Sequence, residues 1–124
     1  MIRGVRGATT AANNSRQAIM DATAELLRAM MEVNRIRSED LGAVIFSATP
    51  ELDAAFAPTS ARQLLNWNDV PLFSAQELAV DNAVRNCIRV LMLWNTDLPQ
   101  SQIQTVYLRG AASLREDALE GGRR

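Results

Sequence analysis

Glu77 and Arg89 are the residues of this sequence best placed to do chemistry. Both lie in the segment from Val70 to Asp97, VPLFSAQELAVDNAVRNCIRVLMLWNTD, the most apolar part of the chain. Burying an unpaired carboxylate or guanidinium is costly, so such charges are paired, solvated at a mouth, or held ready for a ligand. The two are read as the floor of a site for an anionic small molecule. Arg6, Arg62 and Arg115 also stand beside apolar residues instead of in solvated charge runs. Guanidinium forks match carboxylates bidentately, so converging arginines imply a ligand with more than one carboxylate, or a phosphate. Each of these residues also has a plainer reading. The arginines can snorkel from a strand or helix onto a nearby acid, Glu77 can be a strand-end carboxylate facing water, and Tyr107 a half-buried sheet aromatic.

The residues that are missing narrow the chemistry further. The chain has no histidine and a single cysteine, Cys87, which excludes an intrachain disulfide, a Cys/His zinc site and a Ser-His-Asp triad. All 13 basic residues are arginine, so Schiff-base and general-base chemistry on a lysine are excluded too. Cys87 reads as a small buried apolar residue, with no neighbour to activate a thiolate. The net charge of −1 provides no global field for nucleic acid or an anionic membrane, and no run of about 18 apolar residues is present. A soluble, cytoplasmic protein is expected.

A length of 124 residues predicts one domain. It is placed at 1–115, with 116–124 a polar C-terminal tail expected to be flexible. Residues 2–10, IRGVRGATT, alternate as a strand with an arginine on each face. Asn13, Asn14 or Ser15 can cap a helix from Arg16 to about Arg35, whose apolar stripe is Ile19, Ala22, Leu26, Met30 and Val33, widened by Leu27 and Met31. GAVIFSAT at 42–49 is a buried strand stopped by Pro50. Pro58 opens a short helix expected to turn Ala61, Leu64 and Leu65 inward. Val70 to Glu77 reads as a third strand. Residues 84–94 fit either a helix or a strand, and the alternation of Ile88, Val90, Met92 and Trp94 with Arg89 favours a strand over 87–94. A helical turn at 101–104 and a last strand at 104–109 carrying Tyr107 follow. The order predicts an α+β fold, a mixed β-sheet with helices on one face. With Trp67 and Trp94 in so small a domain, other subunits are expected to cover part of the sheet.

Six blocks in family order resemble the monofunctional AroH-type chorismate mutases: IRGVRGATT at 2–10, SATPELDAAFAP at 47–58, VPLFSAQEL at 70–78, CIRV at 87–90, TDLPQSQI at 96–103 and VYLRGAASLR at 106–115. The resemblance implies a homotrimer packed as a pseudo-α/β-barrel with active sites between subunits. It implies conversion of chorismate to prephenate, a Claisen rearrangement in phenylalanine and tyrosine biosynthesis, with no cofactor, no metal and no covalent intermediate. By match to the family motif, Arg89 meets the ether oxygen, Arg6 a substrate carboxylate, Glu77 the ring hydroxyl and Tyr107 the side-chain carboxylate. Phe56 and Arg62 close the pocket from the neighbouring subunit, Leu114 and Arg115 cover its mouth, and Phe73, Ser74 and Thr59 complete the substrate-binding set. Two positions depart from the pattern: Ser74 stands where a cysteine is familiar and Thr59 where a lysine is. The hydroxyl of Ser74 can still donate a hydrogen bond, whereas loss of the lysine weakens attraction of a dianion at the rim. Two other classes are weighed against this reading, a trimeric imine deaminase of the YjgF type and a non-catalytic trimeric metabolite-binding module. The paired IRGVRG and CIRV blocks argue against the deaminase, and a bound dicarboxylate without turnover would mark the module.

Overall fold

The computed structural model describes residues 1–114, so Arg115 and the expected tail at 116–124 lie outside the described residues. The elements run β1 (Ile2–Thr10), α1 (Arg16–Asn34), β2 (Leu41–Ala48), α2 (Ala57–Leu64), β3 (Leu72–Gln76), β4 (Cys87–Asn95) and β5 (Val106–Tyr107), with short 3-10 turns at Ser38–Asp40, Gln100–Gln102 and Arg109–Ala111. The five strands form one mixed sheet in the order β3-β2-β4-β1-β5. β4 is antiparallel to both β1 and β2, while β3 runs parallel to β2 and β5 parallel to β1.

Ser15 caps α1 through Oγ, which accepts the Ala18 N–H at 3.1 Å. The helix ends where Arg35 turns left-handed at φ 57°, letting the Ile36 N–H reach the Met31 carbonyl at 2.8 Å. Ile19, Leu26, Leu27 and Met30 are buried against the sheet as the stripe predicts, but Val33 is exposed because the covered face is narrower than the stripe. α2 buries Ala57, Pro58, Ser60 and Ala61 and is tied to α1 by the Ser60 hydroxyl, which donates to the Met20 carbonyl at 2.7 Å. Leu64 does not turn inward as predicted; in the last turn of α2 its carbonyl accepts from Arg28 of α1 at 3.2 Å while its side chain is exposed.

The strand reading of β4 holds: Ile88, Val90, Met92 and Trp94 are buried on the helix side, while Arg89, Leu91 and Leu93 face the other way. Trp67 and Trp94 both sit in the chain's own core, so they are not what a second subunit would cover. The face away from the helices instead exposes Ile45 and Phe73.

Gly7 is where α1 comes closest to the sheet. A Cβ there would stand 2.4 Å from Met30 Sδ and 3.1 Å from Leu26 Cδ1. Gly7→Ala is expected to destabilise the fold by about 1–3 kcal/mol through overpacking, read as a lower thermal midpoint. Combining it with Met30→Ala should cost less than the two changes separately, because the truncated side chain vacates the space the new methyl needs.

Past β4 the chain is held largely by side-chain amides. Gln100 brackets the Gly4 peptide, donating to its carbonyl at 2.6 Å and accepting its N–H at 3.1 Å. Asn34 does the same to the backbone of Gln104, at 3.0 and 2.8 Å. These contacts seat β5, whose two residues pair with Gly7 and Ala8.

Candidate active site

Strand register assembles the site. In one row across the sheet stand Tyr107, Ala8, Arg89, Ser47 and Ala75, and in the next Arg6, Leu91, Ile45 and Phe73. Since alternate residues share a face, these two rows both point away from the helices. They floor a cavity of about 210 Å³ whose wall includes Arg6, Ala8, Ile45, Ser47, Arg89, Leu91 and Tyr107. Residues almost 100 positions apart in the sequence are thereby brought together.

Glu77 enters from the end of β3. Its N–H continues the ladder to the Ala48 carbonyl at 2.9 Å, and its carboxylate turns over the sheet toward Arg89. Oε1 lies 3.5 Å from Arg89 Nε, with side chains 28% and 45% exposed, so the pair sits at a mouth and is not sealed inside. Oε2 accepts a short hydrogen bond from the Ser47 hydroxyl. Arg6 makes no ion pair among the described residues. The face therefore carries two guanidinium groups against one carboxylate, a positive excess suited to an anion.

The ends of β4 and β5 are held by contacts that leave this face open. The Glu51 carboxylate accepts the Asn86 N–H at 2.5 Å just before β4, and that bond holds its carboxyl below the ordinary value. Cys87 packs with Ala8, Ala111, Tyr107 and Leu114 beneath one end of the site. Burial pushes its thiol up, so it is packing and not a nucleophile. Arg109, in a left-handed turn at φ 51°, pairs with Glu25 at 2.9 Å, while the Gly110 N–H donates to Thr10 Oγ1 at 3.0 Å. These contacts anchor the segment that leads to the half-buried Leu114.

The remaining expected site residues fall elsewhere. Ser74 is level with Phe46 in the sheet and so faces the helix side, opposite Phe73. With Phe56, Thr59 and Gln76 it lines a second cavity of about 540 Å³ beside the β3 edge. Phe56 is 75% exposed there. Arg62 is exposed on the last turn of α2 and lines neither cavity. Within one chain, then, Arg6, Arg89, Glu77, Tyr107 and Phe73 share a face, whereas Phe56, Thr59 and Ser74 do not join them.

Sequence reasoning gave no role to Ser47, Leu91 or Ile45. For Ser47 a signal existed, a hydroxyl inside the otherwise apolar strand GAVIFSAT.

The chain belongs to the chorismate mutase type I family, whose pattern it matches over residues 2–118. It is 49% identical over 118 residues to chorismate mutase AroH of Thermus thermophilus, covering 94% of this chain and 96% of that protein. Chorismate mutase AroH of Bacillus subtilis strain 168 is 42% identical over 117 residues, covering 94% and 92% respectively. Among solved structures, a chorismate mutase from Clostridium thermocellum superposes with a TM-score of 0.86 at 38% identity, over 89% of this chain and 97% of that one. The AroH-type resemblance is borne out, and the imine-deaminase alternative falls away.

Proposed function

We propose that the chain converts chorismate to prephenate on the open face of its sheet, with Arg89 set against the breaking ether bond. Family membership and the relatives' shared activity support the reaction. The observation that carries the placement is Arg89 standing 3.5 Å from Glu77 at the foot of the cavity that Arg6 and Tyr107 also line.

Chorismate is a dicarboxylate whose enolpyruvyl side chain must fold over the ring before it can rearrange. Holding that compact conformer removes part of the barrier without any covalent step. In the transition state the ether bond breaks ahead of carbon–carbon bond formation, and negative charge builds on the ether oxygen. A fixed guanidinium aimed there interacts more strongly with the transition state than with the ground state. Arg89 has that role, Arg6 takes a carboxylate, Glu77 accepts from the ring hydroxyl and Tyr107 meets the side-chain carboxylate. Rapid, saturable loss of chorismate absorbance, with the product converted by acid to phenylpyruvate, tests the reaction. No acceleration by folded protein would favour a metabolite-binding module.

The same reading makes the enzyme a homotrimer with sites between subunits. Support comes from the division of the site residues: Phe56, Thr59, Ser74 and Arg62 do not line the Arg89 cavity of their own chain and are free to complete that of a neighbour. Leu114 covers the mouth. Mixing Arg89→Ala with Arg62→Ala subunits should restore turnover, because random mixing leaves roughly a quarter of shared sites intact. A mixed assembly of trimeric mass without recovered activity would sink the shared site. A cytoplasmic location belongs to the same proposal, since the substrate is an intermediate of amino-acid biosynthesis; cell fractionation tests it.

A further inference from the structure

We infer that Ser47 is a positioning residue for this reaction: its hydroxyl fixes the Glu77 carboxylate so that Arg89 keeps its outer guanidinium nitrogens free for substrate. The inference rests on the placement of Arg89 and Glu77 proposed above and adds a further residue to it.

Ser47 lies directly opposite Arg89 in the β2–β4 pairing and donates from Oγ to Glu77 Oε2. The other carboxylate oxygen, Oε1, stands 3.5 Å from Arg89 Nε. One carboxylate is thus held at two points by unlike groups, a neutral hydroxyl and a cation. Left with the arginine alone, it would turn into the fork arrangement, both oxygens taking guanidinium N–H groups at about 2.7–2.9 Å. That arrangement would occupy the donors the ether oxygen needs. By engaging Oε2, Ser47 opposes the turn, and the 3.5 Å separation is longer than a charge-assisted hydrogen bond, as expected for a carboxylate held off its partner. Packing gives no reason for a hydroxyl here. The neighbours of Ser47 on its face of β2 are Ala43 and Ile45, and the residue is only half-buried in the cavity wall.

The test compares Ser47→Ala, Ser47→Thr, Glu77→Ala, the Ser47→Ala/Glu77→Ala double variant and Arg89→Ala. Ser47→Ala should lower kcat about tenfold with KM changed by less than about threefold, since the lost donors act in the transition state. Ser47→Thr keeps the hydroxyl and should recover most of that loss. In the Glu77→Ala background the serine change should have no further effect, because it acts through the carboxylate. Wild-type kcat in Ser47→Ala overturns the inference, as does an equal loss in Ser47→Thr. An undiminished loss in the Glu77→Ala background also overturns it, by showing that the hydroxyl acts on substrate directly. If Arg89→Ala is inactive while Ser47→Ala is normal, only the role of Ser47 fails. If Arg89→Ala turns over normally, the underlying placement fails with it.

Discussion

Arg89→Ala is expected to lower kcat for chorismate by at least about two orders of magnitude, the effect of removing one preorganised donor worth roughly 3 kcal/mol to a developing oxyanion. Three features of the site set the size of that loss. Arg89 projects from the central strand β4, paired on both sides, so its Cα is fixed by ladders to β1 and β2. Its Nε faces Glu77, which orients the planar group and directs the remaining nitrogens outward. No lysine exists anywhere in the chain to substitute for it. Arg89→Lys should fall between the two, because it keeps a positive charge but loses the planar fork that Glu77 orients. The side chain is 45% exposed, so the thermal midpoint should move little while turnover collapses. Near-normal turnover in the alanine variant would remove Arg89 from the mechanism.

Phe46→Ala should show the opposite pattern, large in stability and small in chemistry. Phe46 is fully buried, level with Val90 on β4 and Ser74 on β3, on the helix side of the sheet. Truncating a buried phenylalanine costs about 3–5 kcal/mol through lost transfer energy and the cavity left behind. For a domain of this size that is a fall in thermal midpoint on the order of 15 °C. The melts must be compared at one protein concentration, since assembly would add a concentration-dependent contribution. Because Phe46 points away from the cavity that Ser47 and Arg89 line, kcat at low temperature should stay within about twofold of wild type. A variant that melts normally would show that the strand does not depend on this side chain; one that is stable but inactive would mean the two faces are coupled.

The sequence made the elements legible wherever a period was strong. Arg89 among Ile88, Val90 and Met92 distinguishes a strand from a helix for β4, and the cap candidates Asn13, Asn14 and Ser15 before an apolar stripe mark the start of α1. Periodicity names a face but not its width, which depends on what packs there, so Val33 and Leu64 fall on the expected apolar faces yet lie outside. The site was legible as a set of charges, and the family resemblance supplied their roles. Its layout was not, because it depends on register. Nothing local says that Ser47 stands level with Arg89, or that Glu77 folds back over both. One part of the layout could have been read directly: alternation along β3 puts Ser74 and Phe73 on opposite faces, so both cannot line one pocket within a single chain.

The Gln100 amide that brackets Gly4 bears on how the protein can polymerise. Strand-by-strand growth of a sheet requires a free edge at both ends of each unit. Here one end is finished by the short β5 and the Gln100 amide, leaving β3 as the long bare edge among the described residues. In the terms of polymer chemistry the folded unit is close to monofunctional at its strand edges, with β3 the end that can couple. Edge pairing between folded copies is therefore favoured at β3 and opposed at the other end, which works against growth into a fibre.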